Sequence, residues 1–213
     1  MATAHSASVD PIHSRHTKML SMNARLALDD ARIFLEPSEI NVQTLMLLGL
    51  HGEDFASPNL SWMLVGHACR QAQALGLHLA GVGHRQDRNS EAQQRKLCVF
   101  WGLFSADKSC SLAFGRPCFL PTSVYEHVQP PNFRYLRNFR PHNKQGDSEF
   151  GAYHFINNIE LSKITGLVLD FLSSRRSPSE RNELKSTLDS WWLQSKKACL
   201  PVASSRYTLT PRC

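Results

Sequence analysis

Apolar residues recur three or four positions apart along most of the chain, as one face of an α-helix requires. With proline as a boundary signal, this pattern predicts a first helix over residues 17–35 and a second over residues 39–50. The second is apolar nearly all round, so we expect it to be packed between other helices. Residues 1–16 show no periodicity and are predicted to be a disordered lead-in.

The third predicted helix has clear boundary signals. Ser57 is a suitable N-cap, Pro58 suits the first helical position, and Gly76 is placed to end the helix in the left-handed conformation. A core face follows at Trp62, Val65, Cys69 and Ala72, and small residues that would let another helix approach lie at Gly66, Ala68 and Ala72. We therefore expect this helix at the centre of a bundle.

A long fourth helix is predicted after a loop at residues 79–89. Ser90 and Gln93 make a capping box, in which each side chain bonds the backbone N–H of the other. The helix should end near Phe114, because Gly115 and the proline that follows do not continue a helix well.

The second half of the chain begins with residues 115–147, which contain five prolines and are predicted to be an ordered but irregular connection. A fifth helix follows at residues 148–172. A second capping box with Ser177 and Glu180 opens a sixth helix, predicted to bury Leu184, Leu188 and Trp191. Periodicity is lost from residue 195, and residues 202–213 are predicted to be a tail. The predicted fold is all-α, an irregular bundle of about six helices.

The composition is that of a folded protein of one domain. The chain has 213 residues, of which 42% are hydrophobic and 20% charged, unlike a disordered tail or a fibrous repeat. Lys and Arg number 24 against 18 Asp and Glu, a net charge of +6. That charge weakly favours polyanions, but an ordinary solvated basic surface gives the same balance.

The six cysteines are scattered and form no CxxC pair or Cys/His cluster, so we assign no metal site. The first 16 residues lack the apolar core of a signal peptide, and no apolar run reaches about 18 residues. We therefore expect free thiols in a reducing compartment and no membrane partner.

Sequence motifs typical of enzymes occur only in incomplete form. Gly81 and Gly83 begin like a dinucleotide loop, but no strand precedes them. His51 with Glu53 and Asp54 has the residue types of a metal cluster, although a polar loop at a helix end has the same composition. We assign no catalytic residue, no cofactor and no enzymatic activity.

Residues 133–140 interleave aromatic rings with arginines, the composition that stacks bases and neutralises phosphates in single-strand binders. A basic loop with aromatic rings packed beneath the arginine stems has the same composition. The sequence leaves both interpretations open.

Three segments occur in order: Ala-Leu-Gly-Leu-His at 74–78, a helix with Phe-Trp at 100–101 and Asp-Lys at 107–108, and Gly-Arg-Pro at 115–117. Together they resemble the regulatory middle homology domain, of the xylanolytic-activator type, in fungal binuclear zinc-cluster (Zn2Cys6) transcription factors. On this resemblance we place the domain at residues 17–201.

The resemblance implies structural roles for nine signature residues: Gly76, Leu77, His78, Phe100, Trp101, Asp107, Gly115, Arg116 and Pro117. Leu77 is expected in the core, and the two aromatic residues are expected to fill the bundle. We also hypothesise that Arg116 pairs with Asp107. A solvated loop arginine is the alternative.

The resemblance also implies a nuclear protein that regulates transcription and responds to a small-molecule or protein effector. Such factors bind zinc and DNA through a six-cysteine cluster that is absent here, so zinc and DNA are expected only through such a domain elsewhere. The domain is expected to be truncated relative to the family. The alternative is a stand-alone interaction module that dimerises with full-length homologues and modulates them.

Overall fold

The computed structural model describes residues 18–19, 22–23, 26–51, 58–80, 90–125, 127–138, 148–173 and 178–204. Within these ranges the secondary structure is helical and includes no strand, which confirms the all-α prediction. A 3-10 turn occupies Leu77–Leu79. The α-helices are α1 (Arg32–Leu35), α2 (Glu39–His51), α3 (Pro58–Ala74), α4 (Glu91–Phe114), α5 (Thr122–Tyr125), α6 (Phe133–Asn138), α7 (Ser148–Ser173) and α8 (Pro178–Ser204).

Helix α4 lies at the centre of the bundle. It packs against α2, α3, the 3-10 turn and α7, and more than half of its 24 residues are buried. Its aromatic residues Phe100, Trp101 and Phe104 are among the largest fully buried side chains. Helix α3, expected at the centre, instead packs between α2 and α4.

Small residues bring α2 and α3 together, but not in the way predicted at Gly66. A Cβ atom at Gly49 of α2 would lie 2.8 Å from Cγ2 of Val65, so the two backbones are in close contact there. A Cβ atom at Gly66 would lie 2.5 Å from the ring of Phe119, which follows α4 in the chain. Gly66 therefore accommodates an aromatic ring and not a second helix.

The predicted helix ends are confirmed where the structure describes them. Gly76 and Gly115 both have left-handed backbones, with φ of 63° and 62°. Ser90 Oγ accepts a hydrogen bond from the backbone N–H of Gln93 at 3.3 Å. The prediction that the Gln93 side chain accepts a hydrogen bond from the backbone N–H of Ser90 is wrong, because Oε1 of Gln93 is buried without a partner. Ser57 and Ser177 lie outside the described residues.

One prediction for the N-terminal helices is wrong. The helix expected over 17–35 is broken at Asp30, whose carboxylate accepts from the backbone N–H of Arg32 at 3.0 Å and so starts a new helical turn. Helix α2 is packed against α3 and α4, as predicted, but its apolar surface is not buried all round, since Ile40 is 74% exposed and Leu47 51% exposed.

The C-terminal half differs from its prediction at two points. The connection at 115–147 contains the short helices α5 and α6, and residues 139–147 are outside the description. Helix α8 continues to Ser204, so the predicted loss of helix at 195 is wrong. Its main neighbour is α7, which covers one face only, and Leu188 is 40% exposed where burial was predicted.

No helix in the described ranges is long and apolar enough to cross a bilayer.

Candidate functional site

The nine signature residues lie at two ends of one structural unit. The first group is the turn after α3 with the aromatic residues of α4: Gly76, Leu77, His78, Phe100 and Trp101. The second is the later part of α4 with the loop that follows it: Asp107, Gly115, Arg116 and Pro117. Residues 116–132, which we call the return segment, connect the two groups.

The return segment runs back along α4, against the direction of the helix. Three side chains of α4 tether its backbone in order. Asp107 bonds the N–H groups of residues 119 and 120, Trp101 Nε1 donates to the carbonyl of residue 129 at 3.0 Å, and Gln94 Oε1 accepts from the N–H of residue 132 at 2.6 Å. The tethers satisfy backbone groups that would otherwise be buried without partners.

A buried ion pair makes the first tether. The side chains of Asp107 and Lys108 are each only 1% exposed, and Nζ lies 3.1 Å from Oδ2. The Asp107 carboxylate also accepts from the N–H groups of Phe119 and Leu120, both at 3.0 Å. Nζ of Lys108 donates to the Leu120 carbonyl and lies 4.3 Å from the centroid of the Phe104 ring. Both charges are therefore compensated inside the protein, as buried charges must be.

The hypothesis that Arg116 pairs with Asp107 is wrong. Arg116 is half-buried at the surface, donates to Oδ1 of Asn59, and its guanidinium carbon lies 4.9 Å from the centroid of the Trp62 ring. Asp107 takes its cation from Lys108 and its remaining bonds from the backbone. Arg116 therefore fastens the start of the return segment to the first turns of α3.

Phe119 connects the return segment to α3 at a second point. Its ring lies over Gly66, 4.6 Å from the centroid of the Trp62 ring, and the guanidinium carbon of Arg70 lies 5.8 Å from the Phe119 centroid. Sequence reasoning missed Phe119 as a contact. The available signal was the absence of a side chain at Gly66 within an otherwise well-filled helix face.

The turn after α3 forms the other end of the unit. Leu77 is fully buried, as predicted. The His78 ring packs 5.5 Å from the Tyr125 ring and 6.3 Å from the Phe100 ring, measured between centroids. Tyr125 is itself held, because Nε2 of Gln73 donates to its hydroxyl at 2.9 Å. The turn and the return segment thus meet across these three rings.

The sequence profile of the fungal specific transcription factor domain matches residues 10–199 of this chain. The chain belongs to this family. It is 26% identical over 181 residues to a transcriptional regulator of Claviceps purpurea, covering 84% of this chain and 28% of that protein.

The fission yeast Schizosaccharomyces pombe has relatives described as uncharacterized transcriptional regulatory proteins. One is 29% identical over 175 residues, which covers 73% of this chain and 28% of that protein. Another is 34% identical over 102 residues, 44% of this chain and 16% of that protein. The chain therefore spans about 28% of the length of the first two relatives. No solved structure gives a significant match.

The cysteines that the structure describes in this fungal transcription factor domain do not form a zinc cluster. Cys69, Cys98 and Cys118 are thiols, and no three metal-binding side chains within the described ranges are close enough to hold an ion. Burial raises the pKa of the Cys98 thiol to about 11, and it also raises the pKa values of Cys69 and Cys118. These thiols are therefore protonated and weakly nucleophilic at neutral pH.

The aromatic and basic stretch at 133–140 is engaged within the domain as far as it is described. The Phe133 ring packs 4.8 Å from the Tyr153 ring, and Nε of Arg137 lies 3.2 Å from a carboxylate oxygen of Glu149. Burial raises the pKa of Tyr135. These contacts favour packing against α7 over base stacking. Residues 81–89, with the incomplete dinucleotide loop, and residues 52–57, with Glu53 and Asp54, lie outside the described ranges.

Proposed function

We propose that this chain is the regulatory region of a nuclear fungal transcription factor, and that it transmits a signal without carrying out chemistry. Two findings support the proposal: the family match over residues 10–199 and the similarity to transcriptional regulators. DNA and zinc binding would belong to a zinc cluster elsewhere in a longer protein, because the six cysteines are scattered along the sequence and the described part of the chain holds no group of three metal-binding side chains.

The observation that carries the proposal is the set of groups to which Asp107 and Lys108 bond. Buried charged residues in a cleft are often catalytic groups, but here their polar atoms bond each other and the return segment. Asp107 and Lys108 therefore hold a backbone segment in a defined position. A regulatory domain that acts by changing its shape needs a segment that is held in this way.

The return segment is suited to carry such a change, because it touches three long helices. Phe119 lies on Gly66 of α3, Leu120 is tied to α4, and Thr122 packs against Gly166 of α7, where an added Cβ atom would overlap Oγ1 of Thr122. A displacement of the segment at one end would alter packing against all three helices, since close-packed interiors do not deform gradually.

A tethering experiment tests the proposal. The 213-residue chain is fused to an unrelated DNA-binding domain in fungal cells, and transcription of a reporter with the matching DNA sites is measured. We expect the fusion to raise or lower reporter output relative to the DNA-binding domain alone. The substitution Gly166→Val, which disturbs the contact with Thr122, should change that output. Gly151→Val is the matched control, because a Cβ atom at Gly151 meets nothing within 4 Å.

Reporter output equal to that of the DNA-binding domain alone, with the fusion present in the nucleus at equal abundance, would overturn the regulatory assignment. Equal effects of Gly166→Val and Gly151→Val would overturn the role given to the return segment.

The stand-alone interaction module is the second candidate, and the surface of α8 favours it. Leu188, Trp192 and Leu193 are 40%, 60% and 57% exposed on neighbouring turns of this helix. Exposed apolar patches of this kind mark interaction surfaces. Size-exclusion chromatography with a full-length homologue tests it: a mixed complex that Trp192→Ser weakens supports the module, and separate elution contradicts it.

A further inference from the structure

Helix α8 carries a line of basic and apolar side chains along one side. Its members follow one another at intervals of three or four residues, the spacing that puts side chains on one face of an α-helix. All of them are exposed. The line, which we call the α8 stripe, consists of Arg181, Lys185, Leu188, Trp192 and Lys196.

The contact between α8 and α7 fixes the direction in which the stripe points. Nε1 of Trp191 donates to the carbonyl of Asn157 on α7 at 3.3 Å. Leu184, on the same face of α8, lines a cleft together with Leu167 of α7. Each residue turns a helix by about 100°, so Trp192 is rotated out of this contact. The stripe is therefore open to solvent while the opposite side of α8 is packed.

The charge of the stripe is positive. Three of its five members are cations, and none of these cations forms an ion pair with a described residue. Asp189 lies beside the stripe, one turn after Lys185, and the stripe stays positive when this carboxylate is included. The stems of lysine and arginine can cover apolar surface of a partner while their charged ends reach its carboxylates. A matching surface is therefore acidic as well as apolar.

A second copy of this chain does not match the stripe. If two stripes paired as antiparallel helices centred between Leu188 and Trp192, Lys196 of one copy would lie near Lys185 of the other. If they paired as parallel helices, each cation would face its own counterpart. Like charges placed opposite each other at an interface are unfavourable, so the charge of the stripe opposes self-association.

We propose that the α8 stripe binds an acidic amphipathic segment of a partner protein, in which carboxylates flank large apolar side chains. Trp192 and Leu188 pack against the apolar side chains, and the cations at either end of the stripe pair with the carboxylates. Tryptophan and arginine are the residue types that most often dominate binding energy at such interfaces. The inference rests on the second candidate under the proposed function, because it names the chemistry of the partner for that surface.

Three synthetic helical peptides of equal length test the stripe. In each, leucine recurs every three or four positions, and the polar positions carry only glutamate, only glutamine or only lysine. Fluorescence anisotropy of the labelled peptides is measured during titration with the 213-residue chain. We expect saturable binding of the glutamate peptide, about tenfold tighter than that of the glutamine peptide and weaker at high salt, and no binding of the lysine peptide.

Charge reversal assigns the binding to the stripe. Arg181→Glu combined with Lys185→Glu should weaken the glutamate peptide about tenfold and allow the lysine peptide to bind. The matched control is Arg95→Glu combined with Lys96→Glu, which changes the net charge equally on the side of α4 that faces Glu39 of α2, and it should leave binding unchanged.

A second variant tests the apolar part of the stripe. Trp192→Ser keeps every charge of the stripe and should also weaken the glutamate peptide about tenfold, because it removes the large exposed ring. Leu47→Ser, which changes an exposed apolar residue of α2, is the matched control and should bind as the native chain does. Far-UV circular dichroism checks that all variants are folded.

Equal binding of the glutamate and glutamine peptides would overturn the acidic partner, and unchanged binding in the stripe variants would overturn the site. Phosphatidylglycerol vesicles or a DNA duplex that bind the stripe while no peptide does would also overturn the proposal, as would a dimer of the native chain that Trp192→Ser dissociates. Separate elution from a full-length homologue would contradict the interaction module alone and leave the peptide titration valid.

Discussion

Nζ of Lys108 lies 3.1 Å from Oδ2 of Asp107 in the interior of the domain, and the two residues are neighbours in the chain. Both reach the same stretch of return-segment backbone, Asp107 through the N–H groups of residues 119 and 120 and Lys108 through the carbonyl of residue 120. Two adjacent residues of one helix thus bond both the N–H groups and a carbonyl group of residues 119 and 120. This stretch of backbone has no helical or strand hydrogen bonds of its own.

Breaking this pair should be strongly destabilising. Lys108→Met leaves the Asp107 carboxylate buried without its cation, and we expect the free energy of unfolding to fall by about 3–5 kcal/mol. Urea denaturation of the variant and the native chain measures the difference. Lys163→Met is the control, since Lys163 pairs with the half-exposed Glu160 at 3.1 Å and should lose about 1 kcal/mol or less. Similar losses in both variants would contradict the importance given to the buried pair.

The two glycines of α7 should respond oppositely to alanine. Gly166→Ala places a Cβ atom in steric overlap with Oγ1 of Thr122, and we expect a loss of roughly 1–3 kcal/mol in the free energy of unfolding. Gly151→Ala meets nothing within 4 Å and should stabilise the helix by about 0.5–1 kcal/mol. Thermal unfolding of both variants provides the measurement. A stabilised Gly166→Ala variant would show that α5 and α7 are not in close contact.

Removing Arg116 should have a mild effect. Its contacts are Asn59 and the face of Trp62 at the surface, so Arg116→Ala should lower stability by about 1 kcal/mol. Arg116→Lys keeps a cation near Trp62 and should lose less. The midpoints of urea unfolding separate the two variants. A loss for Arg116→Ala as large as that for Lys108→Met would restore the pairing with Asp107.

The Cys98 thiol should react slowly with iodoacetamide until the solution is strongly alkaline. With a pKa of about 11, only roughly one thiol in a thousand is ionised at pH 8, against about a quarter for a free thiol with a pKa near 8.5. Because the folded chain holds this proton more tightly than the unfolded chain, Cys98 contributes stability below about pH 8.5 that is lost as the pH rises towards 11. Mass spectrometry after timed alkylation follows the reaction. Rapid labelling of Cys98 at pH 8 would contradict its burial.

Local signals in the sequence predicted the helices, but not how the connection between α4 and α6 packs. Ser90, Gly76 and Gly115 affect only the residues next to them in the chain. Their helix ends can therefore be predicted from the local sequence, and they are confirmed. The return segment is held by contacts between residues distant in the chain, such as Gly66 with Phe119, which no local period encodes.

The partner of Asp107 shows the same limit. Arg116 lies nine residues beyond Asp107, and its place between Gly115 and Pro117 makes it a plausible partner when only the sequence is considered. The helix ends at Phe114, however, and Gly115 turns the chain in the left-handed conformation, after which Arg116 contacts Asn59 and Trp62 instead. The adjacent Lys108 belongs to one of the segments that resemble the family, but residues next to each other on a helix do not usually face each other. Here both side chains are drawn to one buried backbone stretch.

Hydrogen exchange at the amides of Phe119 and Leu120 tests most directly whether the signature residues work by anchoring the return segment. Because Asp107 accepts from both amides in the interior, we predict that both exchange as slowly as amides within α4. In Asp107→Asn both should exchange faster, while the amide of Asn132, held by Gln94, should be unchanged. Exchange of Phe119 and Leu120 in the native chain at the rate of an unstructured peptide would contradict the anchoring role.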